Sequence, residues 1–129
     1  MPYQYEIPIK IKKDHLDELN HVNNVVYLQW AQDIAKKHWM SKAPESVQKN
    51  NKWVVIRHEI NYRRPCYEND PVLVKTKVAN DISGPKWGRH VHIFNGESIA
   101  AEVFSIWCQI DAQSGRPLRI SKEIANVFN

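Results

Sequence analysis

Between residues 17 and 30 the chain reads Asp17-Glu18-Leu19-Asn20-His21-Val22-Asn23-Asn24-Val25-Val26-Tyr27-Leu28-Gln29-Trp30. A carboxylate, an imidazole and several carboxamides therefore stand immediately ahead of an apolar run. If that run is helical, its start leaves backbone N–H groups unpaired at the positive end of the helix dipole, beside acid/base side chains. Such an end stabilises an oxyanion. Asp and Asn also favour caps and loops for purely structural reasons, so the spacing alone leaves catalysis and capping both open.

The surrounding elements decide what such a cluster could face. From Val22 to about Lys42 apolar residues recur in pairs four apart, Val26-Tyr27, Trp30-Ala31 and Ile34-Ala35, followed by Trp39. This predicts a helix with a broad buried stripe, suited to the embrace of a sheet. Asn20 or Asn23 can cap its start, Lys36, Lys37 and Lys42 suit its negative end, and Pro44 ends it. Before it, Tyr3–Lys12 alternates as a strand, with Pro8 marking an edge or bulge. After it, Pro44–Lys52 is a polar connector with room for one helical turn. Strands are then predicted at Trp53–Arg64, Val72–Val78, Lys86–Phe94 and Ser98–Asp111. Asn95-Gly96 predicts a type I′ hairpin with positive φ at both residues. The last strand is apolar on both faces, as expected of a doubly covered one, and Arg116–Asn129 is a short tail. One long helix on one antiparallel sheet is a two-layer α+β plan within a single domain, residues 1–129.

Composition narrows the function classes. With 129 residues, 43% hydrophobic and 25% charged, the chain matches neither a disordered segment nor a fibre. No apolar stretch approaches the roughly 20 residues that span a bilayer, and the first residues lack a signal-peptide plan, so a cytoplasmic protein is expected. Eighteen Lys/Arg against fourteen Asp/Glu give +4, which suits an anionic ligand but not a nucleic-acid binder. Cys66 and Cys108 form no metal or disulfide pattern and are expected to be buried thiols. His90 and His92 would share one strand face, but no third ligand is nearby in sequence, so no metal is expected.

The helix-start motif, Asp-x-x-Asn-His-Val-Asn-Asn-x-x-Tyr-Leu-x-Trp, lies behind an amino-terminal strand and ahead of the strand end Ile60-Asn61-Tyr62-Arg63-Arg64-Pro65. In this it resembles the hotdog-fold acyl thioesterases of the 4-hydroxybenzoyl-CoA thioesterase-like and acyl-ACP thioesterase-like families, over nearly the whole chain. The resemblance implies a long central helix wrapped by a curved antiparallel sheet of about five strands, and protomers paired edge to edge into a homodimer or homotetramer. It implies a substrate, an acyl-CoA or acyl-ACP thioester, and no cofactor. Asp17 matches the catalytic carboxylate, nucleophile or general base for water. His21 and Asn23 fall within the His-Val-Asn-Asn segment, and the backbone N–H near Asn24 would polarise the thioester carbonyl. The chain departs from many relatives at Asn20, where they carry glycine, and at Gln32–Lys36, where they often carry an arginine. Arg63, Arg64, Lys86 and Arg89, taken to lie at strand ends or turns, are the candidates for the carrier's phosphates, and Tyr27 with Trp30, Trp39, Trp53, Trp87 and Trp107 for an acyl tunnel. A non-catalytic acyl- or CoA-binding module would keep the same fold. A hotdog enoyl-thioester hydratase is disfavoured, because its Asp-x-Asn-Pro-x-His pattern spaces Asp and His five apart, whereas Asp17 and His21 are four apart without an intervening proline.

Overall fold

The computed structural model describes residues 2–129. Five strands, β1 (Tyr5–Ile9), β2 (Asn51–Tyr62), β3 (Val72–Ser83), β4 (Lys86–Asn95) and β5 (Ser98–Asp111), form one curved antiparallel sheet in the spatial order β1-β3-β4-β5-β2. Helix α1 (Asn24–Lys42) packs against this sheet, followed by the short helix α2 (Glu45–Asn50), and helix α3 (Lys122–Ala125) lies near the end of the chain. This is the α+β hotdog arrangement expected from the helix-start motif.

The paired apolar spacing of α1 gives it a buried stripe of Tyr27, Trp30, Ala31, Ile34, Ala35, His38 and Trp39. Period-2 alternation supplies the facing surface, with Val72, Val74, Thr76 and Val78 from β3 and Trp87, Arg89, Val91 and Ile93 from β4. Two clusters result. One surrounds Tyr27, Trp30 and Ile34, and the second gathers Trp39, Val47, Val78, Trp87, Ile124 and Phe128 at the other end of the helix. Both cysteines are buried and free.

Several expectations are corrected. The first strand is shorter than Tyr3–Lys12. Strand β3 runs on to Ser83, because a register irregularity between Val78 and Ile82 absorbs the polar stretch before the turn at Gly84. At the β4–β5 hairpin Asn95 pairs with Ser98, so the loop is Gly96-Glu97, with φ of 63° at Gly96 and no positive φ at Asn95. Glycine at the first loop position with positive φ there alone is the type II′ pattern, not type I′. Strand β5 buries Ala101, Val103, Ser105, Trp107 and Gln109, whereas Phe104, Ile106 and Ile110 on its other face are only half-buried. On that second face only Ala100 and Cys108, near the two ends of the strand, are fully buried, so a single chain covers one face of β5 along its length and the other in part. The carboxy-terminal tail is folded back, with Ile124 and Phe128 inside the second cluster.

Candidate active site

The turn before α1 is organised by its own carboxylate. Asp17 Oδ1 accepts hydrogen bonds from the Leu19 N–H at 2.9 Å and the His21 N–H at 3.1 Å. The Asp17 N–H donates to the His21 carbonyl at 2.7 Å, and the Asn20 N–H to the Asp17 carbonyl at 3.0 Å. Closing so tight a turn takes a left-handed residue, and Asn20 supplies it with φ of 62°. Asparagine is among the few side chains that tolerate this region, so the turn closes here without a glycine. Asp17 Oδ2 accepts no hydrogen bond from the described residues. His21 is half-buried, its ring edge-on to Tyr67 with centroids 4.9 Å apart.

Asn23 is the N-cap, and its side chain accepts from the Val25 N–H at 3.3 Å. Asn24 is the first helical residue, and its backbone N–H has no acceptor among the described residues. Its carbonyl accepts from the Tyr62 hydroxyl at 3.1 Å, which ties the end of β2 to the start of α1. Asp17, His21, Asn24, Tyr27, Tyr62, Arg63 and Arg64 share one cleft of about 250 Å3. Asp17, with one carboxylate oxygen uncommitted, and Asn24, with its helix-start N–H unpaired, thus line the same cleft. A carboxylate and a helix-start donor are group types that can attack a carbonyl and stabilise the charge on its oxygen.

Arg63 forms an exposed ion pair with Glu102 at 3.4 Å, and Arg64 is exposed on the same rim. Tyr27 is buried edge-on to Trp30 and Tyr62. Burial raises the pKa of the Tyr27 hydroxyl, and the hydrogen bond it donates to the neighbouring Cys66 side chain adds to the shift. Burial also raises the Cys66 thiol, the opposite of what a thiolate nucleophile needs. Asn23 does not line the cleft; its side chain is occupied in the cap. Lys86 and Arg89 do not line it either. Lys86 is the exposed first residue of β4, as expected, but Arg89 is corrected from a strand end to a strand interior. It stands in the inward row of β4 and is 5% exposed. The residue that sequence reasoning passed over is Tyr62, whose place in the Tyr62-Arg63-Arg64-Pro65 strand end was the available signal.

Among the described residues no helix is long and apolar enough to cross a membrane, and no group of three or more His, Cys, Asp or Glu could hold a metal ion. His90 and His92 share one face of β4 with ring centroids 6.4 Å apart.

Residues 12–128 match the family described as the thioesterase-like superfamily. The chain is 31% identical over 84 residues to oleoyl-acyl carrier protein thioesterase 1, chloroplastic, of Arabidopsis thaliana, a match covering 64% of this chain and 20% of that protein. It therefore spans about a fifth of the length of that relative. Among solved structures, a thioesterase complexed with coenzyme A and Zn from Thermus thermophilus superposes with a TM-score of 0.86, at 20% identity over 98% of this chain and 92% of that one. A probable thioesterase from Escherichia coli gives 0.79, at 24% identity over 95% and 94%. At these identities the structural likeness is one of fold.

Proposed function

The chain belongs to the thioesterase-like superfamily, and on that premise we propose that it hydrolyses an acyl thioester carried on CoA or acyl carrier protein, releasing a free acid and a thiol. The observation that carries this reading is the joint presence, in one cleft, of the Asp17 carboxylate and the unpaired Asn24 N–H at the first turn of α1.

In this reaction the thioester carbonyl oxygen faces the Asn24 N–H, where donor and helix dipole stabilise the tetrahedral oxyanion; one such donor contributes roughly 3 to 4 kcal/mol in comparable sites. Asp17 drives the attack in one of two ways. It takes a proton from water, whose oxygen bonds to the carbonyl carbon as the C–S bond breaks and the thiolate regains the proton. Alternatively its own oxygen forms the bond as the C–S bond breaks and the thiolate leaves. Water then hydrolyses the anhydride, restoring the Asp17 carboxylate and giving the free acid, with a proton from that water passing to the thiolate. The bonds from Leu19 and His21 hold Asp17 through Oδ1 and leave Oδ2 for either task. His21 fixes the turn through its backbone and is close enough to the cleft to orient the attacking water. Arg63 and Arg64 receive the phosphates of the carrier; the exposed pair between Arg63 and Glu102 is weak enough to exchange for a phosphate. Tyr27 forms part of the wall beside the acyl group.

Copies of the chain associate through the free edge of β2. That strand is 12 residues long and lies at the sheet edge, with Val54 and Ile56 42% and 50% exposed. A long apolar edge of this kind is a template for a second strand. The reading is tested by thiol release from short, medium, long and aromatic acyl-CoAs and from acyl-ACP. Turnover of at least one is expected, and tight acyl-CoA binding without turnover would instead favour a binding module.

A further inference from the structure

A second cavity, of about 380 Å3, lies at the other end of α1. That volume falls in the range of small-molecule sites, about 300–1,000 Å3. Trp39, Trp53, Trp87 and Trp107 form its walls together with Phe128. Its first helical lining residue is Ala35, which along the helix axis is roughly 16 Å from Asn24 and about 12 Å from Tyr27, the last cleft residue on α1.

The charged groups of this cavity are all of one sign, beside the neutral amides of Gln48 and Asn51. Its charged lining residues are Arg89, Lys36 and Lys52, without a carboxylate. Arg89 is 5% exposed, yet its head meets no counter-ion. Its Nη1 donates to His38 Nδ1 at 2.9 Å and to Thr76 Oγ1 at 3.0 Å, and its guanidinium lies 5.2 Å from the Phe128 ring centre. The other two guanidinium nitrogens make no hydrogen bond with the described residues. Trp53 Nε1, on the cavity wall, is buried without a partner. A buried guanidinium without an anion is costly, and natural interiors pair such groups. Burial lowers its pKa only to about 10, so it remains charged at neutral pH.

We propose that this cavity binds an organic carboxylate with an apolar body, the carboxylate meeting Arg89 and the body lying between the tryptophans. The planar guanidinium fork matches a carboxylate, and the indole walls match an aromatic ring or an alkyl chain. A phosphate dianion fits less well, since one buried cation would have to compensate two desolvated charges. Lys36 and Lys52, both exposed, add positive potential at the mouth. The proposal is independent of the chemistry assigned to Asp17.

Calorimetry and tryptophan fluorescence on the full chain test it, with 2-naphthoate, decanoate and the neutral 2-naphthamide as probes. Four of the five tryptophans line the cavity, so occupancy changes the emission. One acid is expected to bind once per chain, about tenfold or more tighter than the amide, and Arg89→Gln to lose about tenfold. Preference for naphthoate or for decanoate supports the proposal and identifies a ring or a chain as the body. Absence of binding by both acids, equal binding of acid and amide, or undiminished binding by Arg89→Gln would overturn it. Should Arg89→Gln fail to fold, Lys36→Glu/Lys52→Glu changes only exposed positions. Binding of the acid is then expected to weaken about threefold or more while the amide is unaffected, and an unchanged acid affinity overturns the proposal. A chain without thioesterase activity that still binds the acid would separate this inference from the proposed function.

Discussion

An aspartate that attacks or deprotonates must be held still while one of its oxygens stays uncommitted, and the turn from Asp17 to His21 meets both conditions. Oδ1 accepts from Leu19 and His21, which orients the carboxylate. The turn depends on Asn20 at φ of 62°. Left-handed backbone costs an ordinary L-residue roughly 1 to 2 kcal/mol, so Asn20→Ala is expected to lower stability by about 1 kcal/mol and Asn20→Gly to leave it nearly unchanged, as read from urea midpoints. Equal midpoints for the two variants would show that the turn is not held in this conformation. Motif order made Asp17, His21 and Asn24 legible as a group, since all lie within eight residues. Tyr62 was not legible in the same way: its hydroxyl bond to the Asn24 carbonyl joins residues 38 apart, and nothing local in either segment encodes it. Removal of that bond in Tyr62→Phe is expected to lower kcat/KM about fivefold, the equivalent of one ordinary hydrogen bond, with little change in stability.

At the scale of elements, α1 and the strands were legible because each shows its period without help from the rest of the chain. Paired apolar residues four apart mark the helix, and alternation marks β3 and β4. The same alternation puts Arg89 in register with Trp87, Val91 and Ile93, an inward place that its reading as a strand-end phosphate ligand missed. Only the meeting of α1, β3, β4 and the carboxy-terminal segment creates its surroundings. That segment has too few apolar residues for a period, yet Phe128 closes the second cluster against His38 and Trp87. Within this cluster burial, reinforced by the Arg89 and Lys42 charges, lowers the pKa of His38 from 6.5 to about 3. Above pH 6.5 the ring is neutral in both folded and unfolded chains. As pH falls from there toward 3, the unfolded chain binds a proton that the native one refuses, so stability falls, approaching about 1.4 kcal/mol per pH unit. The lowered pKa values of His58, His90 and His92 act in the same direction. His38→Gln keeps an acceptor for Arg89 and is expected to flatten the dependence by about one proton between pH 6 and 4 in urea titrations. An unaltered slope would show that His38 titrates normally.

As a whole molecule, a chain of 129 residues with a single long helix has a small core, and half-buried apolar residues remain on the outer face of β5. Association through β2 would cover apolar surface of this kind and remove the free edge. Light scattering is expected to give twice or four times the chain mass, and Val54→Lys/Ile56→Lys to shift it to the monomer; a monomeric parent chain would rule this assembly out. The cleft at Asp17 gathers residues from the helix start and the β2 end of one chain, so its central claim can be tested directly. Free thiol released from a panel of acyl-CoAs and acyl-ACP is measured for the parent chain and for Asp17→Asn, which keeps an oxygen acceptor for Leu19 and His21 and hence the turn. The account predicts turnover by the parent chain and a loss of about 100-fold or more in the variant at unchanged folding and oligomeric state. Equal rates in the two proteins, or no thiol release by the parent chain from any substrate, would contradict it.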